Sequence, residues 1–257
     1  MKSTLQLLAL SALLAGSACG AGSKPVNILV LYADDWRHDT LGAAGNPVVK
    51  TPELDRLAGE GIRFTENYVT TSICGVSRAC LYTGQWMSRH GCRGFKEFKT
   101  PWAETYPGLL RANGYHVGHV GKWHNGKIPS KEYDFSTAYH GRHWYKTKDG
   151  GKIHVTKRNE RDALEFLDKR PKDKPFCLTV AFKEPHGPWN YFDPDVPNPY
   201  EGATLPVSEA FTREAYDRLP DFLQSSLGGR GAPKRLANPD EYQQQIRTYY
   251  RLISRAD

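Results

Sequence analysis

The sequence lacks an apolar run long enough to cross a membrane, and it has few cysteines. A short apolar stretch occupies residues 5–14, and no later run among the 257 residues is sufficiently apolar. A membrane-spanning helix needs about 20 such residues, so we expect no stable membrane span. The five cysteines match no spacing typical of a zinc site. A cysteine-ligated zinc domain is therefore not expected.

The chain also lacks a block of basic residues, a nucleic-acid-binding motif and internal repeats, although its formal net charge is +7. A basic protein without such features is a weak candidate for binding nucleic acid, and an anionic substrate accounts for the charge better. When charge is considered alone, an ordinary soluble basic surface is a better explanation than either kind of ligand. We expect no nucleic-acid partner.

The N-terminus has the pattern of an export signal over residues 1–22. Lys2 supplies the positive charge, residues 5–14 are apolar, and small residues follow at 15–18. An alternative is a lipoprotein signal cut before Cys19, which would then carry the lipid. We therefore expect an exported protein that is periplasmic or secreted, with a lipid anchor through Cys19 in the alternative.

Three cysteines outside this segment have no assigned chemistry from spacing alone: Cys80, Cys92 and Cys177. A Cys80–Cys92 disulfide is compatible with an oxidising compartment. Three buried free thiols are equally compatible, and the sequence leaves both possibilities open.

Apolar runs and helical periodicities alternate along the chain, which predicts an α/β fold with a mostly parallel sheet. The run at 26–33 is almost continuously apolar and predicts a strand buried on both faces. Further strands are predicted at 62–68, 116–121 and 176–182, helices at 52–60, 77–83, 105–111, 159–169 and 240–256, and a long substrate-side loop at 187–239.

Polar residues follow the ends of the predicted strands, where open α/β sheets place their functional sites. Asp34 and Asp35 follow the first strand, Lys122 and His124 follow another, and His186 follows a third. Adjacent carboxylates suit a hard divalent cation such as calcium. For the aspartate pair alone, a turn or a helix cap is the simpler explanation.

Three segments carry a family resemblance. The run from Cys74 to Gly84, CGVSRACLYTG, resembles the C-x-P/A-S-R sulfatase signature with its downstream T-G pair. Residues 114–124 end in G-K-W-H, like the second signature of that family, and residues 185–188 resemble its P-H-x-P segment. The chain thus resembles type I, formylglycine-dependent sulfatases of the alkaline phosphatase-like superfamily. The resemblance implies an α/β/α sandwich, with residues 25–257 forming the N-terminal part of the catalytic domain.

The resemblance also implies a set of catalytic roles. A formylglycine-generating or sulfatase-maturing enzyme would oxidise Cys74 to formylglycine, whose hydrated form attacks sulfur and later expels sulfate. Arg78 would hold the diol, and Asp34, Asp35 and modified Cys74 would bind Ca²⁺. Lys122 would bind a sulfate oxygen, His124 would contact the diol, and His186 would bind substrate and protonate the leaving group.

These roles predict a sulfuric ester hydrolase that acts on a sulfated substrate, with carbohydrate as the expected class. One alternative is a related phosphatase or phosphonate-ester hydrolase. Another is an inactive, truncated fragment that at most binds sulfated glycans. Relatives continue into an S-D-N/H-G-type motif with two more metal ligands, a second lysine and a smaller subdomain, which residues 1–257 do not contain. We accordingly expect a catalytic domain truncated at its C-terminus, with weak metal binding and poor turnover.

Overall fold

A computed structural model describes residues 25–139, 141–226 and 228–257. The predicted export signal and the lipid site at Cys19 lie outside these residues. Within them, no helix combines the length and apolarity that crossing a membrane requires.

The centre of the molecule is a four-stranded parallel sheet with the strand order β1-β6-β2-β3. A separate antiparallel hairpin is formed by β4 and β5. The strands are β1 (Ile28–Tyr32), β2 (His116–Lys122), β3 (Phe135–Tyr139), β4 (Trp144–Lys146), β5 (Lys152–His154) and β6 (Phe176–Ala181). Because the four strands of the main sheet are parallel, their carboxyl ends share one edge.

Helices of very different lengths connect these strands. The α-helices are α1 (Pro52–Glu60), α2 (Cys74–Thr83), α3 (Met87–His90), α4 (Tyr106–Ala112), α5 (Val155–Lys169), α6 (Arg213–Asp217), α7 (Asp221–Gln224), α8 (Ala232–Ala237) and α9 (Pro239–Ala256). Short 3-10 turns lie at Gly42–Ala44, Trp102–Glu104, Ser130–Glu132 and Gly229–Gly231.

Side chains of the sheet alternate between two apolar layers, as the two-residue period of a strand requires. Cys177 packs with Tyr82 of α2 in one layer. Its neighbour Leu178 packs with Phe166 of α5 in the other layer. A side chain at Gly118 would come within 2.5 Å of the Phe166 ring, so glycine allows α5 to approach β2 closely. The predicted α/β/α sandwich is confirmed.

A third apolar cluster lies under α9. Ile246, Tyr250 and Ile253 of this helix pack against Val49 and Tyr200, which come from distant loops. The helix thereby holds together the segments that follow β1 and β6, two of the three strands that carry predicted site residues.

The predicted strand at 62–68 is wrong. Ile62 and Phe64 are 84% and 79% exposed, and the segment has no strand partner among the described residues. Its apolar composition resembles a strand, but without a neighbour to share backbone hydrogen bonds the segment does not form one.

The prediction that the first strand is buried on both faces is also wrong. In β1, Leu29 and Leu31 remain 52% and 49% exposed, whereas β6 is buried throughout. β1 lies at the edge of the sheet, and no described layer covers the face that carries these leucines.

Several elements were not predicted. β3 and the β4–β5 hairpin were missed, and the segment 187–239 contains α6, α7 and α8 besides irregular chain. Of the two possibilities for Cys80 and Cys92, the structure has free thiols at both.

Candidate active site

The predicted site residues gather at the carboxyl edge of the main sheet. Asp34 follows β1, Lys122 ends β2, and His186 lies in the loop after β6. Cys74 is the first residue of α2. Four separate segments therefore meet because parallel strands end on the same side.

A buried carboxylate between two cations forms the floor of the site. Lys122 donates a hydrogen bond from Nζ to Oδ2 of Asp34, and Arg78 Nη2 lies 3.7 Å from Oδ1 of the same carboxylate. Arg78 also donates to the Lys122 carbonyl at 2.8 Å. All three side chains are buried. With two cations facing one carboxylate, the floor retains a positive charge that favours an anionic ligand.

Cys74 lies at the N-terminus of a ten-residue helix, where backbone N–H groups and the helix dipole favour negative charge. Its Sγ lies 3.2 Å from Nδ1 of His124. A side chain at the next residue, Gly75, would meet the Gly94 carbonyl oxygen at 2.1 Å. Glycine therefore lets this helix start lie directly against a neighbouring loop.

His124 has an unusual backbone conformation, with φ at 63°. Its ring stacks on Phe95 with 4.5 Å between ring centroids. Burial, followed by the charges of Lys122 and Arg78, lowers the pKa of His124 to about 4. The imidazole is therefore neutral near pH 7 and can accept a proton.

Asp35 and His186 form the outer part of the site. Asp35 Oδ2 lies 3.6 Å from His186 Nε2. The Asp35 backbone, with φ at 63°, is held by Tyr249 of α9, whose hydroxyl donates to its carbonyl at 2.8 Å. His186 Nδ1 lies 2.6 Å from the Gly187 carbonyl, which leaves Nε2 facing Asp35. Among the described residues, His186 contacts Asp35, Gly187 and Lys183 rather than Cys74.

Lys183 is a site residue that sequence reasoning missed. It is buried, and its Nζ donates to the Gly187 carbonyl at 2.9 Å. Burial and, next, the charge of Lys122 lower the pKa of Lys183. The positive charges of Lys122 and Lys183 therefore repel each other, and a bound anion would offset this repulsion. Its position directly after β6 was the available signal.

A cleft of about 330 Å³ lies at this edge of the sheet and is lined by Asp34, Asp35, Cys74 and their neighbours. Carboxylate oxygens are suitable donors for a hard cation. The two aspartates thus fit a calcium-type ion in the cleft, with its remaining positions left for other oxygens. The same cleft exposes Ser77, which hydrogen-bonds Tyr32 at 2.6 Å.

Known proteins with similar sequences are sulfatases. The chain is 32% identical over 181 residues to N-acetylglucosamine-6-O-sulfatase of Bacteroides thetaiotaomicron, covering 65% of this chain and 32% of that protein. It is 43% identical over 129 residues to arylsulfatase A of Bos taurus, covering 48% of this chain and 25% of that protein. The chain thus spans about a third or less of the length of these relatives.

Solved structures share the fold. A protein in complex with its substrate D-glucosamine-2-N,6-O-disulfate matches with a TM-score of 0.69 and 24% identity, covering 91% of this chain and 60% of that chain. A phosphonate monoester hydrolase of Agrobacterium radiobacter matches with a TM-score of 0.68 and 20% identity, covering 90% and 57%. At these identities the likeness concerns the alkaline phosphatase-like fold.

A comparison of the chain with models of protein families agrees with the sequence motifs, the site geometry and the overall fold. The model of the family described as Sulfatase matches residues 26–257, which is nearly the whole described chain. This chain belongs to the Sulfatase family.

Proposed function

We propose that the chain provides the nucleophile side of a sulfuric ester hydrolase that removes sulfate from a sulfated carbohydrate. The observation that carries the proposal is the position of Cys74. It begins a helix, lies 3.2 Å from His124, and lines the same cleft as Asp34, the carboxylate that the buried cations Lys122 and Arg78 face.

Two groups would complete the chemistry. Formylglycine made from Cys74 by a maturing enzyme would supply the attacking oxygen, and a Ca²⁺-type cation held by Asp34, Asp35 and the modified Cys74 would polarise the sulfate. The aspartates fit this role because both carboxylates line the cleft that Cys74 enters. The exported location, periplasmic or secreted, belongs to the same proposal.

The cations of the site would bind and orient the sulfate. Lys122 and Lys183 are both buried ammonium groups, and each can donate a hydrogen bond to a sulfate oxygen. Arg78 is fixed by the Lys122 carbonyl and by the Tyr32 ring, whose centroid lies 5.0 Å from its Cζ. It would hold negative charge at position 74.

The two histidines would move protons at different places. His124 is neutral near pH 7, since its pKa is about 4, and its Nδ1 faces position 74. It would accept a proton there. His186 presents Nε2 beside Asp35, at the outer part of the site, where it would donate a proton to the departing alcohol oxygen.

A carbohydrate substrate is supported by two of the similar proteins. One is named an N-acetylglucosamine-6-O-sulfatase, and another was solved with a disulfated glucosamine. Neither identifies the sugar or the sulfate position for this chain. An amino-sugar sulfate is the first substrate class to test.

The test compares sulfate and phosphate esters of the same alcohol, such as glucosamine 6-sulfate and glucosamine 6-phosphate. The protein is coexpressed with a formylglycine-generating enzyme, and released anion is measured. We expect release of sulfate in preference to phosphate, and a loss of more than about 10³-fold in Cys74→Ala. Cys80→Ala, in the same helix, is the matched control and keeps activity. Faster phosphate release, or an active Cys74→Ala variant, would contradict the proposal.

A further inference from the structure

A second polar cluster lies between the β4–β5 hairpin and the loop after β6, and the reaction proposed above does not use it. It consists of His143, His154 and Glu184, and we call it the histidine cluster. His143 precedes β4, and His154 ends β5. Glu184 lies in the loop after β6, between the active-site residues Lys183 and His186 in the sequence. All three side chains are buried.

The spacing within the histidine cluster matches that of metal ligands. His143 Nδ1 lies 3.4 Å from Glu184 Oε1, and His154 Nε2 lies 3.7 Å from the same oxygen. The three ligand atoms, one from each residue, all lie within 4.8 Å of one another. Ligands of a tetrahedral zinc ion, at bond lengths of about 2.0–2.1 Å, are about 3.3 Å apart. Small side-chain rotations would close the cluster around such an ion.

The polar side-chain atoms of Glu184 and His143 lack hydrogen-bond partners among the described residues. Both carboxylate oxygens of Glu184 and both ring nitrogens of His143 are buried without a hydrogen bond among the described residues, and so is the neighbouring Thr156 hydroxyl. A buried carboxylate without a compensating partner is strongly destabilising. A divalent cation would neutralise the carboxylate and use the free ring lone pairs.

The protonation state of His154 suits ligation. Burial lowers the pKa of His154, so its ring is neutral near pH 7. Two contacts of His154 must change. Its Nε2 lies 3.0 Å from the Tyr191 carbonyl, and its Nδ1 accepts a long 3.4 Å hydrogen bond from the Thr156 amide. A ring that ligates through Nε2 carries its proton on Nδ1 and gives up both.

We propose that His143, His154 and Glu184 bind one divalent transition-metal cation of the zinc class, separate from the cation at Asp34 and Asp35. Two imidazoles and one carboxylate form a donor set that zinc accepts, with a fourth position for water or a further oxygen. The metal fastens the loop after β6 to the β4–β5 hairpin.

This position links the metal to the active site. The Glu184 carbonyl accepts a hydrogen bond from the Asp34 amide at 3.1 Å, and its sequence neighbours include Lys183 and His186. Fixing the Glu184 side chain therefore fixes the backbone between two cleft residues. The role is structural, because the buried side chains of the histidine cluster do not line the cleft.

The test measures metal directly and does not depend on sulfatase activity. The purified protein is stripped with EDTA, incubated with Zn²⁺ or Co²⁺ in the presence of excess Ca²⁺, and desalted. We expect about one zinc per chain by elemental analysis, a higher melting temperature, and the visible absorption of tetrahedral cobalt. Glu184→Gln, of nearly equal volume, loses all three signals.

Two controls keep the result interpretable if Glu184→Gln folds poorly. Asp35→Asn alters the other cation site at an exposed side chain and keeps the zinc, and His116→Gln removes a half-buried histidine beside Asp134 and also keeps it. No bound zinc in the unaltered protein would overturn the proposal. Zinc retained by Glu184→Gln but lost by Asp35→Asn would overturn it as well, whether or not the protein releases sulfate.

Discussion

Two buried clusters of charged side chains lie beside the loop after β6, and they favour ligands of opposite charge. The cationic cluster, Asp34, Arg78 and Lys122, has two cations for one carboxylate. The histidine cluster has one carboxylate for two imidazoles, of which His154 is neutral near pH 7. A buried cluster with spare positive charge attracts an anion, whereas one with an unpartnered carboxylate attracts a cation. The balance of charge, rather than burial itself, indicates what each cluster binds.

Removing the carboxylate of the cationic cluster tests that balance most severely. Asp34→Asn leaves Arg78 and Lys122 buried without an anion, and we expect the free energy of unfolding to fall by about 3–5 kcal/mol. Urea unfolding measures the change. The matched control is Asp39→Asn, which breaks an exposed pair with Arg37 and costs less than about 1 kcal/mol. Equal effects of the two substitutions would contradict the account.

Removing one cation tests the anion-binding role. In Lys122→Met, we expect kcat/KM for a sulfate ester to fall by about 10²–10³-fold, the size expected when a donor to developing negative charge is lost. The zinc content of the histidine cluster should stay unchanged. The control is Lys127→Met, which changes an exposed lysine in the loop after β2 and for which we expect little effect on kcat/KM. Loss of zinc together with activity would mean that the two clusters are not separate sites.

His119 offers a buried imidazole outside both clusters, and thus a reference for the pH behaviour of a histidine without metal. Burial and, next, the charge of Arg78 lower its pKa to about 3. The unfolded chain takes up this proton near pH 6.5 and the native protein does not. Stability is therefore complete above about pH 6.5 and is lost as the pH falls toward 3, by about 1.4 kcal/mol per pH unit.

His119→Gln checks this sign. We expect the variant to show a shallower fall of the unfolding free energy between about pH 6 and pH 4, because one proton-linked group is gone. Urea unfolding at several pH values measures the slope. An unchanged slope would mean that His119 is already protonated in the native protein.

Much of the cationic cluster and its surroundings could be predicted from short contiguous motifs. Cys74 and Arg78 share one motif, and Lys122 and His124 share another, so local sequence was sufficient to select them. These residues form one site because of the order of the strands in the sheet. The alternation of strands and helices in the sequence predicted a parallel sheet but not this order.

The histidine cluster could not be predicted in this way. His143 and His154 belong to the segment of the β4–β5 hairpin, which was not predicted. Glu184 lies in a loop where the sequence motif selects His186, two residues further on. The same reason explains the error at 62–68, where apolar residues resemble a strand but find no partner. Pairing between distant segments decides both cases, and a single sequence does not contain that information in its local pattern.

The central claim is that position 74 becomes the nucleophile of a sulfatase site. The most direct test is mass spectrometry of the peptide that contains residue 74, after coexpression with a formylglycine-generating enzyme. We predict a peptide of lower mass than the cysteine form, which reacts with a hydrazide as an aldehyde does. An unmodified thiol at Cys74 in protein that nevertheless releases sulfate would contradict the account.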